Sequence, residues 1–325
     1  TRLRVTVKDL DKVASEDKWK QAAEAAYDII KQKTDLGLDL VPYPQIFNDV
    51  NNQKAEVILY RPTGESGDFE KANFPIGVEG GKTSTCPTQN LMEAYDMKDG
   101  TPFVWNNQSN PYDNRDPRMK YTIVCNEMKW PVDPVEIWEG GTNGLPLQNA
   151  TTTGYYLKKY VNNTISFEAG STVTKKQHNW VLFRYGEILL NYAEAMINAF
   201  HDPNYKDAVY NMSAREAVNQ IRGRTNISLP GFPSDITEKD FVKRLKNERR
   251  VELAFEGHRF WDVRRWKELG QTANIYGVKI TKNNEVISYE KFLLETRAVT
   301  DNMYFYPIPN TERFKNPNLG QNPGW

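Results

Sequence analysis

The sequence predicts a mainly α-helical protein, with tetratricopeptide-like helix pairs forming a scaffold, long irregular loops and a few short strands. Three observations lead there. Apolar residues recur at helical spacing toward both ends of the chain. Small residues (Ala193, Ala195, Ala199, Ala214, Ala217) fall where paired helices would touch, although no strict sequence repeat is visible. Between the helical stretches, Pro, Gly, Asn and Asp recur without periodicity. The chain of 325 residues is long enough for one large or two ordinary domains. The expected organisation is a helical scaffold segment over 1–33, a loop-rich ligand-binding region over 34–177, and a C-terminal helical scaffold with an extended tail over 178–325.

The first helix is expected in "SEDKWKQAAEAAYDIIKQ". Ser15 can cap it, acidic residues fill its first turn, and Trp19, Ala22, Ala23, Ala26, Ile29 and Ile30 form one apolar stripe. In the loop-rich region a helix over "TQNLMEAYDMK" is expected from Thr88 to an end near Gly100. The flanking "NQSNPYDNRDPRM" and "NEMKWPVDPVEIWEGGTNGLP" are rich in Trp and Tyr, which predicts ordered loops that form a surface. Helices return in "VLFRYGEILLNYAEAMINAF", with Leu182, Ile188, Leu189, Tyr192 and Met196 at helical spacing. Ser213 caps "SAREAVNQIRGR". Thr237 caps a helix that stops at Gly257, and "HRFWDVRRWKELG" runs on to Gly270. The Pro- and Asn-rich tail "YFYPIPNTERFKNPNLGQNPGW" is expected to lie extended on the body.

Composition excludes several function classes. Lys+Arg and Asp+Glu both number 42, so the chain lacks the basic excess of a nucleic-acid or acidic-membrane binder. No apolar run approaches the roughly 20 residues of a membrane helix. Cys86 and Cys125 are compatible with one disulfide or with two buried thiols. His178, His201 and His258 are the three histidines, and none has metal-ligand spacing, so neither a metal nor a cofactor is expected. "GVEGGKTST" lacks the first glycine of a phosphate-binding loop, because Ile76 stands there. No G-x-S-x-G elbow or EF-hand spacing occurs.

"ERRVELAFEGHRFWDVRRW" (248–266) holds five arginines, four carboxylates and four aromatics. Glu248, Glu252 and Glu256 fall at i, i+4 and i+8, where like charges repel unless arginines approach. The following helix offers Arg259, Arg264 and Arg265, with Asp262 able to pair Arg259 and Arg265. Arginine neighbours lower a carboxylate's pKa, the wrong direction for a general acid. The stretch therefore reads as an ion-paired helix–helix clamp (Glu248, Glu252, Glu256, Arg259, Asp262, Arg265) around an aromatic seam of Phe255, Phe260, Trp261 and Trp266.

The loop aromatics are the candidates for ligand contact. Trp105, Tyr112, Trp130 and Trp138 lie in polar, turn-rich segments beside Asn106, Asn107, Asn110, Asp133, Glu139 and Asn143. A flat ring beside amides and carboxylates suits a sugar, whose C–H face stacks while its hydroxyls hydrogen-bond. The site expected from residues alone is Trp105, Tyr112, Trp130, Trp138, Asp133, Glu139 and Asn143.

Several segments, in order, resemble one family. "NERRVELAFEGHRFWDVRRWKELG", "PTQNLMEAYDMKDGTP", "YDNRDPRM", "TGYYLKKY", "WVLFRYGEILLNYAEAM" and the tail "YPIPNTERFKNPNLGQNPGW" resemble landmarks of the SusD/RagB-like nutrient-binding outer-membrane lipoproteins of Bacteroidetes. The resemblance covers nearly the whole chain. It implies a non-catalytic protein at the cell surface that binds a polysaccharide or oligosaccharide and hands it to a TonB-dependent, SusC-like transporter. It also implies that the chain is a C-terminal portion. The family's tetratricopeptide-rich N-terminal part and lipid-modified cysteine, its only link to the outer membrane, would lie upstream. A peptide ligand is the alternative within that system, and a transporter-docking role with the ligand site upstream is another.

Overall fold

The structure, a computed structural model, describes residues 16–48, 51, 54–106, 110–168 and 174–325. The expected cap Ser15 and the loop residue Asn107 lie outside the described residues. The helices are α1 (Glu16–Lys31), α2 (Asp68–Asn73), α3 (Gln89–Met92), α4 (Pro117–Thr122), α5 (Tyr185–Phe200), α6 (Ala214–Arg222), α7 (Glu238–Glu252), α8 (Arg259–Arg265) and α9 (Asn310–Lys315). The strands are β1 (Val57–Ser66), β2 (Ile123–Val124), β3 (Tyr156–Leu157), β4 (Lys176–Arg184), β5 (Asn274–Asn283) and β6 (Val286–Thr296). They pair antiparallel as β1 with β4, β2 with β3 and β5 with β6.

The fold is mainly helical, and its scaffold is built on α5. α1 lays Ala23, Ala26, Tyr27 and Ile30 against it. α6 and α7 pack on α5 as well, so almost every α5 residue is buried. Alanines let the helices approach closely, and the apolar side chains fill the seam. Each fully buried Ile, Leu or Met contributes about 1.5–3 kcal/mol relative to exposure. Ser213 closes a reciprocal capping box with Glu216 at the start of α6, and Thr237 accepts from the Asp240 amide at the start of α7. A second core fills the loop-rich region, with Phe74, Tyr95, Met119, Trp130, Tyr155 and Tyr156 among its members.

Four elements differ from expectation. The helix from Thr88 keeps its cap but ends at Met92. The Arg115 guanidinium takes the carbonyls of Met92 and Tyr95 at 2.6 and 2.7 Å, the groups a longer helix would use internally. Leu182 is not helical. It lies in β4, where neighbouring Val181 pairs with Tyr60, and α5 begins only at Tyr185. α7 stops at Glu252, because Phe255 and Gly257 take positive φ values of 61° and 80°; Glu256 is therefore off the helix. α8 stops at Arg265, and Lys267 has φ 57°. The tail also departs from a plain extended strand. It forms α9 and closes on itself, the Trp325 indole donating to the carbonyls of Asn302 and Phe305 at 2.9 and 3.0 Å. Cys86 and Cys125 are both free thiols.

The scaffold and the loop-rich region meet at a buried ion cluster. Glu252 receives Arg118, Arg184 and Arg224, each at 2.8 Å. Glu248 receives Arg118 at 2.5 Å and Arg222 at 2.7 Å. Glu256 takes Arg184 at 2.7 Å and Lys159 at 2.8 Å, Glu56 binds Arg184 and Arg224, and Asp116 holds Arg118 at 2.7 Å. The cations balance these carboxylates one for one: Arg118, Arg184, Arg222, Arg224 and Lys159 against Glu56, Asp116, Glu248, Glu252 and Glu256. Gly186 makes room for the assembly, since a Cβ there would meet Arg184 Nη1 at 2.6 Å and Glu56 Oε1 at 2.9 Å.

The arginines that hold Glu248, Glu252 and Glu256 thus come from α4, the end of β4 and the end of α6, not from the neighbouring α8. α8 serves a second cluster. Asp262 joins Arg249 and Arg265, each at 2.9 Å, and Arg265 forks onto Glu194 of α5. The Trp266 indole also donates to Glu194, at 2.7 Å. Arg259 takes no part and donates to Gln271. Trp261, expected in the aromatic seam, is 58% exposed with its edge toward Phe260, and Phe255 is exposed too.

Burial alone would raise the pKa of Glu252, but Arg224, Arg184 and Arg118 outweigh it and hold the carboxylate far below its ordinary range. Glu256 and Glu194 are likewise pushed up by burial and pulled down further by their cations, each to about 2. Their stabilising contribution is complete above the unfolded value of 4.5 and is lost as pH falls from there toward 2. Circular dichroism against pH is expected to show one cooperative acid transition in that window, and a native spectrum retained at pH 2 would contradict it. Replacing Glu252 by Gln leaves buried guanidiniums without their counter-charge and is expected to cost about 3–5 kcal/mol in urea unfolding. A loss below about 1 kcal/mol would show that the cluster is dispensable.

Candidate functional site

The predicted ligand residues do not converge on one place. Trp130 is only 3% exposed and packs its ring edge-to-face on Phe74 at 5.5 Å. Tyr112 is buried between Tyr155 and Tyr289. Asn143 is 6% exposed and pins two loops, donating to the Ile76 carbonyl and accepting from the Glu136 amide. Trp138 is half-buried, with the Lys282 ammonium 4.5 Å from its ring centre, and the exposed Glu139 pairs with Lys279 at 3.3 Å. Both therefore lie against the β5–β6 hairpin. Trp105 is half-buried beside Phe103, whose ring stacks on the Arg115 guanidinium at 3.6 Å. Asp133 is exposed at the tip of the turn after Trp130.

The feature the loops do build together is a cleft of about 520 Å³. Its walls are the 44–48 segment, the 121–130 segment, the 158–164 loop and the start of β4. Tyr121, Trp130 and Tyr160 give it aromatic surface, and Asn162, Asn163 and Thr164 form one rim. The 158–164 loop is fixed by its backbone: the amides of Lys158 and Lys159 donate to the Thr122 carbonyl, and the Asn162 amide donates to Glu70 Oε1 at 2.9 Å. Asn162 Oδ1 in turn accepts from the Thr164 amide and hydroxyl, setting a tight turn. Asn163 is exposed on that turn.

Lys159 forms the floor. Its ammonium pairs with Glu256, donates to the Tyr43 hydroxyl oxygen at 3.0 Å and lies 4.0 Å from the Phe47 ring centre. Burial lowers its pKa to about 8 against the pull of Glu256. His178 stacks on Trp180 and reaches Glu70 at 3.0 Å. The cleft is thus tied through Lys159 to the buried ion cluster. A second cavity of about 470 Å³ lies between α7, α8 and the 93–103 loop, and Arg250, Arg259 and several lysines line it with Phe103 as its aromatic. Among the described residues, no group of three or more His, Cys, Asp and Glu could hold a metal ion, and no helix is long and apolar enough to cross a membrane.

Sequence reasoning missed Tyr121, Asn162 and Asn163. For the two amides a signal was present in "KYVNNT", where they follow Tyr160 after one intervening valine, but the tryptophans of the Pro- and Gly-rich stretches are the stronger signal in composition. Trp130 was found there, and it contributes to the cleft wall from a largely buried position.

Comparison with known proteins agrees with this architecture. Residues 45–325 match the model of the SusD family. SusD-like protein P2 of Formosa agariphila is 29% identical over 163 residues, 48% of this chain and 28% of that protein. SusD-like protein P38 of the same organism is 30% identical over 150 residues, 44% of this chain and 24% of that protein. A SusD-like protein of Bacteroides fragilis superimposes with a TM-score of 0.75 at 25% identity, covering 95% of this chain and 64% of its own. A SusD-like carbohydrate-binding protein of the same species gives 0.76 at 24% identity, with 94% and 62% covered. The surface glycan-binding protein A of Bacteroides uniformis gives 0.60 at 18% identity, with 94% and 57% covered. This chain therefore spans less than two thirds of each of these solved structures, and the matches to the two curated relatives take in about a quarter of their length.

The burial of Trp130 has a direct consequence. Trp130→Ala is expected to cost about 3–5 kcal/mol of stability, the range for deleting a large core aromatic. Trp105→Ala and Trp138→Ala are expected to cost clearly less, because both rings are only half-buried. Thermal or urea unfolding of the three variants measures this, and equal losses would mean that the rings share one environment.

Proposed function

The chain belongs to the SusD family, and on that premise we propose that it binds a glycan at the cell surface, without chemical turnover, and passes it to a TonB-dependent outer-membrane transporter. The observation that carries the reading is the cleft, which is lined by Tyr121, Trp130 and Tyr160 together with Asn162 and Asn163, with Tyr121, Asn162 and Asn163 the more accessible of these. Rings offer a sugar its C–H stacking surface, and amides both donate to and accept from hydroxyls. Trp105 and Trp138, with Asp133 and Glu139 nearby in the chain, would supply outlying contacts for a longer polymer. Two proteins of similar fold bear names that record carbohydrate or glycan binding. The transporter partner and the lipid anchorage at the outer membrane follow from the family reading.

The energetics suit a protein that must release its cargo. Aromatic contacts of about 0.5–1.5 kcal/mol each, with a few hydrogen bonds of about 1 kcal/mol, total on the order of 4–8 kcal/mol. That corresponds to roughly millimolar to micromolar binding. The lowered pKa values of Glu248, Glu252 and Glu256 keep these carboxylates ionised and salt-bridged, which suits structure and not proton transfer.

Affinity gel electrophoresis through soluble polysaccharides tests the reading. At least one polymer is expected to retard the chain, with no accumulation of reducing ends. Asn163→Ala is expected to weaken that retention by roughly 3- to 10-fold, the size of one lost hydrogen bond. If no polymer retards a chain that circular dichroism shows folded, the glycan reading of these residues is wrong. Retention by oligopeptides alone would point to a peptide cargo.

A further inference from the structure

We infer that the cleft takes an anionic glycan, with uronate carboxylates or sulfate esters held by Lys129 and Lys158. This rests on the glycan-binding reading above and specifies the class of sugar. The chain as a whole is neutral, yet none of the described residues lining the cleft is Asp or Glu. Its cationic lining comprises Lys129, Lys158, Lys159, Lys176 and His178. Lys159 is already engaged by Glu256 and His178 by Glu70, and Lys176 is not free either.

Lys129 and Lys158 differ. Among the described residues, neither has a carboxylate oxygen within 4.0 Å. Lys158 is half-buried, and among the described residues its ammonium donates only to the Met128 thioether, a weak acceptor at 3.7 Å. Burial lowers its pKa, and nearby Lys120 lowers it further. Glu127 and Asp133 belong to the adjoining loop, are exposed and are not among the lining residues. Elsewhere the fold treats such groups differently. Arg115, which has no carboxylate within 4.0 Å among the described residues, donates from both terminal nitrogens to the carbonyls of Met92, Tyr95 and Pro111. A half-buried ammonium whose protein partner is a thioether gains from a stronger, charged acceptor. A carboxylate or sulfate entering beside Asn162 and Asn163 would supply one, whereas a neutral hydroxyl would leave the charge uncompensated. The aromatic wall favours an anion carried on a sugar over a bare inorganic ion.

The test uses the chain in affinity electrophoresis with polygalacturonate and its carboxyl-reduced, neutral counterpart, and with a sulfated galactan and its desulfated counterpart. Polyglutamate is the peptide control. Retention by an acidic polysaccharide over its neutral counterpart is expected, and which acidic polymer is retained tells carboxylate from sulfate. Lys129→Gln/Lys158→Gln is expected to weaken retention about tenfold or more, the size of one charge-assisted hydrogen bond. Lys239→Gln/Lys243→Gln, on α7, is expected to leave it unchanged, which separates a site from diffuse attraction. Lys129→Gln alone guards against loss of folding, since Lys129 is exposed. Equal retention by neutral and acidic polymers, or indifference to the lysine variants, overturns the anionic specificity and leaves the glycan reading standing. Retention by polyglutamate but by no polysaccharide overturns it in favour of an acidic peptide. No retention by any polymer overturns both readings.

Discussion

Glu252 is the residue on which the rest of the structure depends. Its carboxylate is fully buried and shared by guanidiniums from three remote segments. A lone carboxylate could not remain ionised there, and a single arginine would bring its own desolvation cost. The solution is an assembly large enough to satisfy itself. Arg184 spans Glu56, Glu252 and Glu256, while Arg118 spans Asp116, Glu248 and Glu252. Such a cluster adds less net stability than its contacts suggest. What it supplies is registration, because a shifted strand or loop leaves a naked charge in the interior.

That registration reaches the cleft through two adjacent residues. Lys159 turns inward to Glu256 and the Tyr43 hydroxyl, while Lys158 lies half-buried on the cleft wall. Both amides hang from the Thr122 carbonyl, one residue before β2. The inner lysine is consumed by structure, so its neighbour is held in place with no carboxylate partner among the described residues. The loop that follows, Asn162 to Thr164, inherits the same fixed origin. A cleft walled largely by loops can thus be held rigid from the last residue of α4.

Much of the scaffold was legible in the sequence, because its determinants are local. The caps Thr88, Ser213 and Thr237 and the apolar stripe of α1 act within a few residues of themselves. The carboxylate face of α7 was also readable as one that demands arginines. Their identity was not, since Arg118 lies 130 residues from Glu248 and nothing local points to it. The same limit hid the end of the Thr88 helix, which is decided by Arg115. Leu182 misled because one apolar residue fits a helical or a strand period equally well. At the site, composition identified aromatic, amide-rich loops but could not tell a ring that faces a cleft from one that plugs the core. Trp130 and Tyr112 have the same neighbours in sequence as an exposed ring would.

The ion cluster also decides how the protein can be divided. Sequence and texture suggest that the loop-rich region could be lifted from its helical frame as a module. Yet Arg118 and Lys159 belong to the loops, and Glu248 and Glu252 belong to the frame. Cutting between them would strand unbalanced charge on both pieces. The loops of the cleft are therefore open to substitution residue by residue, but the region as a whole is not transplantable unless its electrostatic counterparts travel with it.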